Sequence, residues 1–190
     1  LADLYIVQEK MEEAALVYEK LLEKEDKSPF LHFNLALIYS KLGKLDKSAK
    51  EFESVIRLKP DYIEAYLALG VLDELKNDPE GAIAYYEEAL KRDPLNRKVN
   101  HHLGSIYYKR KMVDRSIQQY EKLLDLAPKD LGGHVELAYI YLSEGKAKKA
   151  VEVLESAEAL GLESEGLFLA FGFAKASVKR YDEAAVYYEK

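Results

Sequence analysis

Residues of the same kind recur every 34 positions along the whole chain, and this period constrains the fold more than any other feature. Two columns of residues spaced by 34 are small throughout, and two are large and apolar. The small columns are Ala2, Ala36, Gly70, Gly104, Ala138, Gly172 and Ala14, Ser48, Ala82, Ser116, Ala150, Ala184. The large columns are Leu1, Leu35, Leu69, Leu103, Leu137, Phe171 and Tyr18, Phe52, Tyr86, Tyr120, Leu154, Tyr188. Such a period predicts a stack of one repeated supersecondary unit.

Each repeat has the pattern of two helices joined by a turn. Apolar and small residues follow helical spacing in two runs, Leu35, Ala36, Tyr39 and then Ser48, Phe52, Val55, Ile56. Gly43 lies between the runs and can end the first helix. Asp46, Asp114 and Asp182 fall at the start of second helices, where negative charge is favoured. Pro60, Pro94 and Pro128 close their repeats, since proline cannot continue a helix.

The pattern resembles the tetratricopeptide repeat family, in which an aromatic residue, Leu-Gly/Ala, Tyr, Ala, an aromatic residue and a closing Pro recur. It occurs here as Tyr66, Leu69-Gly70, Ala82, Tyr86, Ala89, Pro94 and again as Leu103-Gly104, Tyr107, Ser116, Tyr120, Pro128. The resemblance covers the entire chain. It implies an all-α fold, a right-handed superhelical α-solenoid of stacked 34-residue helix-turn-helix repeats. Asp73 and Lys175 depart from the pattern, because they stand where Tyr39, Tyr107 and Tyr141 stand in other repeats.

The phase of the repeat predicts the domain organisation. Residues 1–190 form a single array with partial repeats at 1–28 and 165–190 and complete repeats at 29–62, 63–96, 97–130 and 131–164. Stacked repeats need a polar cap at each end, and neither end has one. We therefore expect the chain to be a fragment of a longer array, whose uncapped ends can associate with another copy.

The resemblance implies that the first helix of each pair lines a concave groove, where a partner binds. Two columns face it: Phe33, Leu67, His101, Val135, Leu169 and Asp3, Leu37, Val71, Ser105, Tyr139, Phe173. The polar groove residues are Asn34, Lys98, His102 and Glu136. An apolar groove with sparse charges suits an amphipathic helix or an extended peptide. The alternative is that several of these side chains only pack against their neighbours.

Two binding modes of the family do not fit these residues. A carboxylate clamp needs Lys and Asn one turn apart, but the two positions carry pairs such as Phe33/Leu37 and Leu67/Val71. An asparagine ladder needs Asn in one column, which here reads Asn34, Ala68, His102, Glu136 and Ala170.

Composition and motifs argue against several other functions. The net charge of −6 disfavours a nucleic-acid binder. The longest strongly apolar run, Leu167 to Ala174, is too short to cross a bilayer. The chain has no cysteine, and the adjacent His101 and His102 point in different directions on a helix, so we expect no metal site. His32 and His134 share a column with Tyr66 and Phe168, which indicates packing.

Charged residues show the pattern of solvated surfaces. Acidic residues such as Glu19 and Glu23 alternate with Lys20 and Lys24 along helices, and no catalytic motif or cofactor fingerprint is present. Two basic clusters, Lys109-Arg110-Lys111 with Arg115 and Lys146-Lys148-Lys149, are explained as solvated turns. We therefore expect no enzyme activity and no cofactor.

The leading hypothesis is a scaffold that binds a protein or peptide in the groove, without nucleic-acid binding or membrane insertion. Two alternatives remain open. The array can recruit substrates for a catalytic domain of a larger enzyme, or it can be a self-assembling structural protein.

Overall fold

The computed structural model describes Tyr5 and residues 7–190. Within these residues the regular structure consists of eleven α-helices and no strand. They are α1 (Met11–Leu22), α2 (Pro29–Lys41), α3 (Leu45–Leu58), α4 (Ile63–Leu75), α5 (Pro79–Arg92), α6 (Arg97–Lys109), α7 (Val113–Leu126), α8 (Leu131–Ser143), α9 (Ala147–Ala159), α10 (Glu165–Ser177) and α11 (Tyr181–Tyr188). Leu1, Ala2 and Asp3, the first members of three predicted columns, lie outside the described residues.

The chain divides into two compact units, Leu1–Asp93 and Pro94–Lys190. We call them unit 1, which contains α1 to α5, and unit 2, which contains α6 to α11. Within each unit, consecutive helices form hairpins, and the second helix of one hairpin packs against the first helix of the next. The prediction of an all-α solenoid of helix-turn-helix repeats is confirmed. None of the eleven helices is both long and apolar enough to cross a membrane.

The turn inside each hairpin passes through one residue with a left-handed backbone. Gly43 and Gly145 hold this position at φ of +69°, which glycine adopts without strain. The predicted role of Gly43 is therefore confirmed. Equivalent positions carry Asn77, Lys111 and Lys179 at φ of 59°, 61° and 64°. A lysine held in this conformation costs on the order of 1–3 kcal/mol.

Small and large residues of the two predicted columns meet inside each hairpin. A Cβ atom built on Gly70 would lie under 3.0 Å from the ring of Tyr86, and one on Gly104 would lie 2.6 Å from Cε2 of Tyr120. Where the second helix carries a smaller side chain, the first helix carries alanine, as in the pair Ala138 and Leu154. The sizes are therefore matched so that the two helices can cross closely.

Serine in the second small column adds a hydrogen bond at the crossing. The hydroxyl of Ser48 donates to the carbonyl oxygen of Ala36 at 2.8 Å, and that of Ser116 donates to Gly104 at 2.7 Å. Both serines are fully buried, so these bonds satisfy polar groups that water cannot reach.

Glutamate fills one further column completely, and three of its members are seen to bind the next hairpin. The column is Glu19, Glu53, Glu87, Glu121, Glu155 and Glu189. Glu19 accepts a hydrogen bond from the hydroxyl of Tyr39 in unit 1. In unit 2, Glu121 accepts one from Tyr141 at 2.6 Å. The prediction that Glu19 belongs to a purely solvated face is therefore wrong.

Lys175 keeps this contact although it replaces the tyrosine. Its ammonium group lies 2.6 Å from Glu155 and 3.4 Å from Glu183, and the residue is almost fully buried. An ion pair therefore substitutes for the tyrosine–glutamate hydrogen bond. Lys175 therefore departs from the family pattern in residue type, but it contacts the equivalent glutamate of the preceding helix.

We expect the variant Gly70→Ala to lower the free energy of unfolding by about 1–3 kcal/mol, because its methyl group overlaps the ring of Tyr86. In a Tyr86→Leu background the same change should cost little, since Ala138 and Leu154 form that pair in another hairpin. Urea unfolding of the four proteins of this cycle measures the coupling. Gly166→Ala is the control, because its Cβ would meet nothing closer than 3.9 Å. Simple additivity in the cycle would contradict the size matching.

Candidate functional site

In unit 1 the predicted groove residues lie on α2 and α4, on the side that we call the first-helix face. Phe33 is partly buried, and its ring packs against Phe52 and Tyr62 at centroid distances of 5.4 and 4.9 Å. Leu37 is exposed, whereas Leu67 and Val71 are half-buried. The amide of Asn34 donates to the carbonyl oxygen of Phe30 in its own helix at 2.8 Å. This face therefore offers mainly aliphatic surface, and Phe33 contributes chiefly to packing.

In unit 2 the first-helix face runs over α6, α8 and α10, and α8 contacts both of the others. Its polar part is organised by Asp130, which is 1% exposed. Asp130 accepts hydrogen bonds from the amide of Gly133 at 2.7 Å and from the ring of His101 at 2.8 Å. Arg97 donates to its second carboxylate oxygen. These contacts join the start of α8 to α6.

The charge of Asp130 is compensated by these donors. Burial alone raises the pKa of the Asp130 carboxyl. The hydrogen bonds from Gly133, His101 and Arg97 outweigh burial and hold the pKa below its ordinary value. The aspartate therefore stays charged at neutral pH.

His101 is held in one orientation by its surroundings. Its ring lies edge-on to Tyr120 with centroids 5.7 Å apart, and a Cβ on Gly132 would come within 2.9 Å of its Cε1 atom. The glycine at position 132 therefore makes room for the imidazole. The role of His101 as a groove residue stays a prediction, and its ring nitrogen Nε2 is hydrogen-bonded to Asp130.

The apolar part of the unit 2 face lies on α8 and α10. Val135 is half-buried and packs on the core, while Tyr139, Leu169 and Phe173 are 37%, 40% and 52% exposed. The ring of Phe173 lies edge-on to Tyr188 at 5.8 Å. Burial, Glu136 and Tyr188 raise the pKa of Tyr139, so its hydroxyl stays protonated at neutral pH. The structure thus brings apolar and aromatic side chains of two neighbouring helices onto one surface.

The remaining predicted residues of the unit 2 face lie on α6 and α8. Lys98 and Glu136 are exposed, and His102 and Ser105 are half-buried. Lys98, His102 and Ser105 belong to α6, and Glu136 belongs to α8. The cationic side chains and histidines of the face therefore cluster on α6.

Two of the four histidines have purely structural contacts. His32 Nε2 donates to the carbonyl oxygen of Asp26 at 2.9 Å, and His134 Nε2 donates to that of Pro128 at 2.8 Å. Tyr66 and Asn100 make the equivalent bond to Pro60 and Pro94. The interpretation of His32 and His134 as packing residues is confirmed. In the described part of the chain, no three His, Asp or Glu side chains are grouped as a metal ion requires.

Sequence reasoning missed Asp130 and Tyr188. A signal for Asp130 was present, because the residue before each first helix is a capping type in four repeats, Ser28, Asn96, Asp130 and Ser164, and each accepts from an amide three residues later. The bonds of Asp130 to Arg97 and His101 have no such signal. Tyr188 belongs to a column that is buried in other repeats, but it is 46% exposed in α11.

Comparison with known proteins agrees with the repeat pattern of the sequence. A family model of the tetratricopeptide repeat matches residues 33–97, 67–130 and 101–161. The interferon-induced protein with tetratricopeptide repeats 2 of Mus musculus is 31% identical over 208 aligned residues, which cover 94% of this chain and 43% of that protein. This chain therefore spans less than half of that relative.

Two solved structures share the fold. The C-terminal part of a repeat-containing protein from Cytophaga hutchinsonii has a TM-score of 0.80 at 24% identity, covering 99% of this chain and 75% of that one. YrrB, described as a tetratricopeptide repeat protein with an unusual peptide-binding site, has a TM-score of 0.68 at 17% identity, covering 91% and 89%.

We expect Asp130→Asn to lower the free energy of unfolding by about 1.5–3 kcal/mol at pH 7, because charged hydrogen bonds to Arg97 and His101 are lost. The folded-state pKa of Asp130 is lowered, so its stabilisation is present above the unfolded value of about 3.9 and is lost as the pH falls through the folded value. Urea unfolding at pH 7 and at about pH 2.5 tests this, since the difference between variant and wild type should shrink in acid. An equal difference at both pH values would refute the proposed role of the charge.

Proposed function

Because the chain belongs to the tetratricopeptide repeat family, we propose that it is a non-catalytic scaffold that binds an apolar segment of a partner protein. Repeats of this family generally mediate protein–protein interactions. The observation that carries the proposal is the exposed apolar surface of Tyr139, Leu169 and Phe173 on two adjoining helices of unit 2. Exposed side chains of this size on neighbouring helices mark surfaces for apolar partners.

The spacing of these residues favours an amphipathic helix as the bound segment. Leu169 and Phe173 are one turn apart on α10, and Val135 and Tyr139 are one turn apart on α8. Two parallel rows of apolar side chains form a shallow channel for the apolar positions of a partner helix. Tyrosine and phenylalanine lose little conformational entropy on binding, which suits them to be the anchors.

The polar part of the same face adds selectivity. Lys98 and His102 on α6 and Glu136 on α8 lie beside the apolar rows. Exposed charges at the edge of an interface change the rate and the specificity of association more than the affinity. Lys98 lies in the first turn of α6 and is exposed to solvent.

Unit 1 offers a second surface of the same kind. Leu37, Leu67 and Val71 supply its aliphatic side chains, with Asn34 and Phe33 beside them. We propose that it binds a further part of the partner. The single array over residues 1–190, and association through its ends, also stay proposals.

The test is a selection of peptides from a random library on the immobilised chain, followed by titration of the selected peptides. We expect sequences with apolar residues three and four positions apart. Phe173→Ser should weaken their binding about tenfold or more, which corresponds to about 1.4 kcal/mol. Tyr181→Ser is the matched control, because Tyr181 is an equally large aromatic residue, 65% exposed, at the start of α11. Peptides that bind Phe173→Ser as tightly as the wild type would exclude this surface.

A further inference from the structure

A recess of about 530 Å³ lies at the turns of the last two hairpins, outside the first-helix face. We call it the lysine recess. It is formed by the turn between α8 and α9 and the turn between α10 and α11. Its lining residues are Gly145, Lys146, Ala147, Lys148, Lys149, Ser177, Val178 and Lys179. All of them belong to unit 2.

Four lysines line this recess, and no carboxylate is among its lining residues. Lys149 lies 5.3 Å above the ring of Tyr141, which holds it in place. Glu183 is nearby in sequence, but it is paired with Arg180 and Lys175. Like charges gathered with no carboxylate among the lining residues repel each other, so an anion in the recess would relieve an unfavourable arrangement.

Lys148 is basic at a position where every other repeat of this chain carries an acidic residue. The equivalent residues are Glu12, Asp46, Glu80, Asp114 and Asp182, all of them acidic. They lie in the first turn of a helix, where the helix dipole favours negative charge. The first turn of α9 has no acidic residue. A cation at this place therefore lowers the stability of α9, and an external anion would restore what an aspartate supplies elsewhere.

Lys179 is a second residue of the lysine recess whose presence is locally unfavourable. It occupies the left-handed position of its turn at φ of 64°, where Gly43 and Gly145 avoid strain. Strained residues that persist against a local cost are found preferentially at binding sites. Lys111 shares this conformation in another turn, so strain alone would say little. At Lys179 it coincides with the charge reversal at Lys148.

We propose that the lysine recess binds an acidic peptide segment, with two or more neighbouring carboxylates, of a partner protein. Solvated turns account for Lys146, Lys148 and Lys149 taken alone, but not for the convergence of Lys179 from the following hairpin. The proposal concerns a surface other than the first-helix face. It therefore does not depend on whether that face binds an apolar segment.

The shape and surroundings of the recess favour a peptide over other anions. The recess is open to solvent and extends over two turns of the chain, which exceeds the need of a single small anion. The exposed acids Glu144 and Asp182 are next to the lysines in sequence, and they oppose the approach of a broad anionic surface. The apolar side chains of Ala147 and Val178 also line the recess.

The experiment measures the fluorescence anisotropy of labelled hexaglutamate with the full chain at about 0.15 M salt, and hexaglutamine serves as the neutral probe. We expect saturable binding of hexaglutamate that weakens as salt rises. Lys148→Asp should lower the affinity about tenfold or more. Its melting temperature should not fall, because aspartate is the residue type that this position carries in other repeats.

Lys47→Asp is the matched control, because it changes the net charge equally at the start of α3 and should alter the affinity less than about twofold. Phe173→Ser should leave hexaglutamate binding unchanged, so failure here and failure of the apolar surface are separable. The proposal is overturned if wild type does not bind hexaglutamate, if Lys148→Asp binds it unchanged, or if Lys47→Asp loses it equally. Binding of inorganic pyrophosphate without binding of hexaglutamate would also overturn it.

Discussion

The structure depends on how closely the two helices of one hairpin can cross. A tyrosine from the second helix lies directly on the backbone of the first in several hairpins, and a glycine leaves room for it, as Gly70 does for Tyr86. Alanine suffices where the second helix carries a smaller side chain. Because interiors are close-packed, this matching lets the two helices of such a hairpin cross closely. The second helix of one hairpin then packs against the first helix of the next, and this mode of packing repeats within each unit.

The hairpins were predictable because each column of the sequence reports one environment that recurs. The contacts between hairpins were harder to predict, since their partners change identity. Glu121 binds Tyr141, whereas Glu155 binds Lys175, and both pairs occupy the same place. In the sequence, a glutamate followed by a lysine along a helix indicates a solvated surface. The structure shows that the neighbouring hairpin contacts the glutamate. The invariance of the glutamate column was the available signal, and its meaning needed coordinates.

The candidate surfaces were also predictable only in part from the sequence. The face that carries Tyr139 and Phe173 follows from the repeat pattern and the family resemblance, and its role in binding stays a prediction. The fixed orientation of His101 did not follow, because it depends on Asp130, which comes from the loop before the next helix. The convergence of Lys179 on the lysines of the preceding turn was also hidden, since 31 positions separate it from Lys148.

Asp73 occupies the first-helix position that carries Tyr39, Tyr141 and Lys175 in other hairpins, but it brings a carboxylate instead of a hydroxyl or ammonium group. Burial, Asp78 and Glu53 raise the pKa of its carboxyl, and Lys76 offsets them only in part. Such a carboxyl opposes folding while it is ionised, so the junction between α3 and α4 tightens on acidification. At neutral pH the ionised carboxylate weakens the contact between α3 and α4, so the amide protons at this junction should exchange with solvent faster than they do in acid beyond the intrinsic effect of pH.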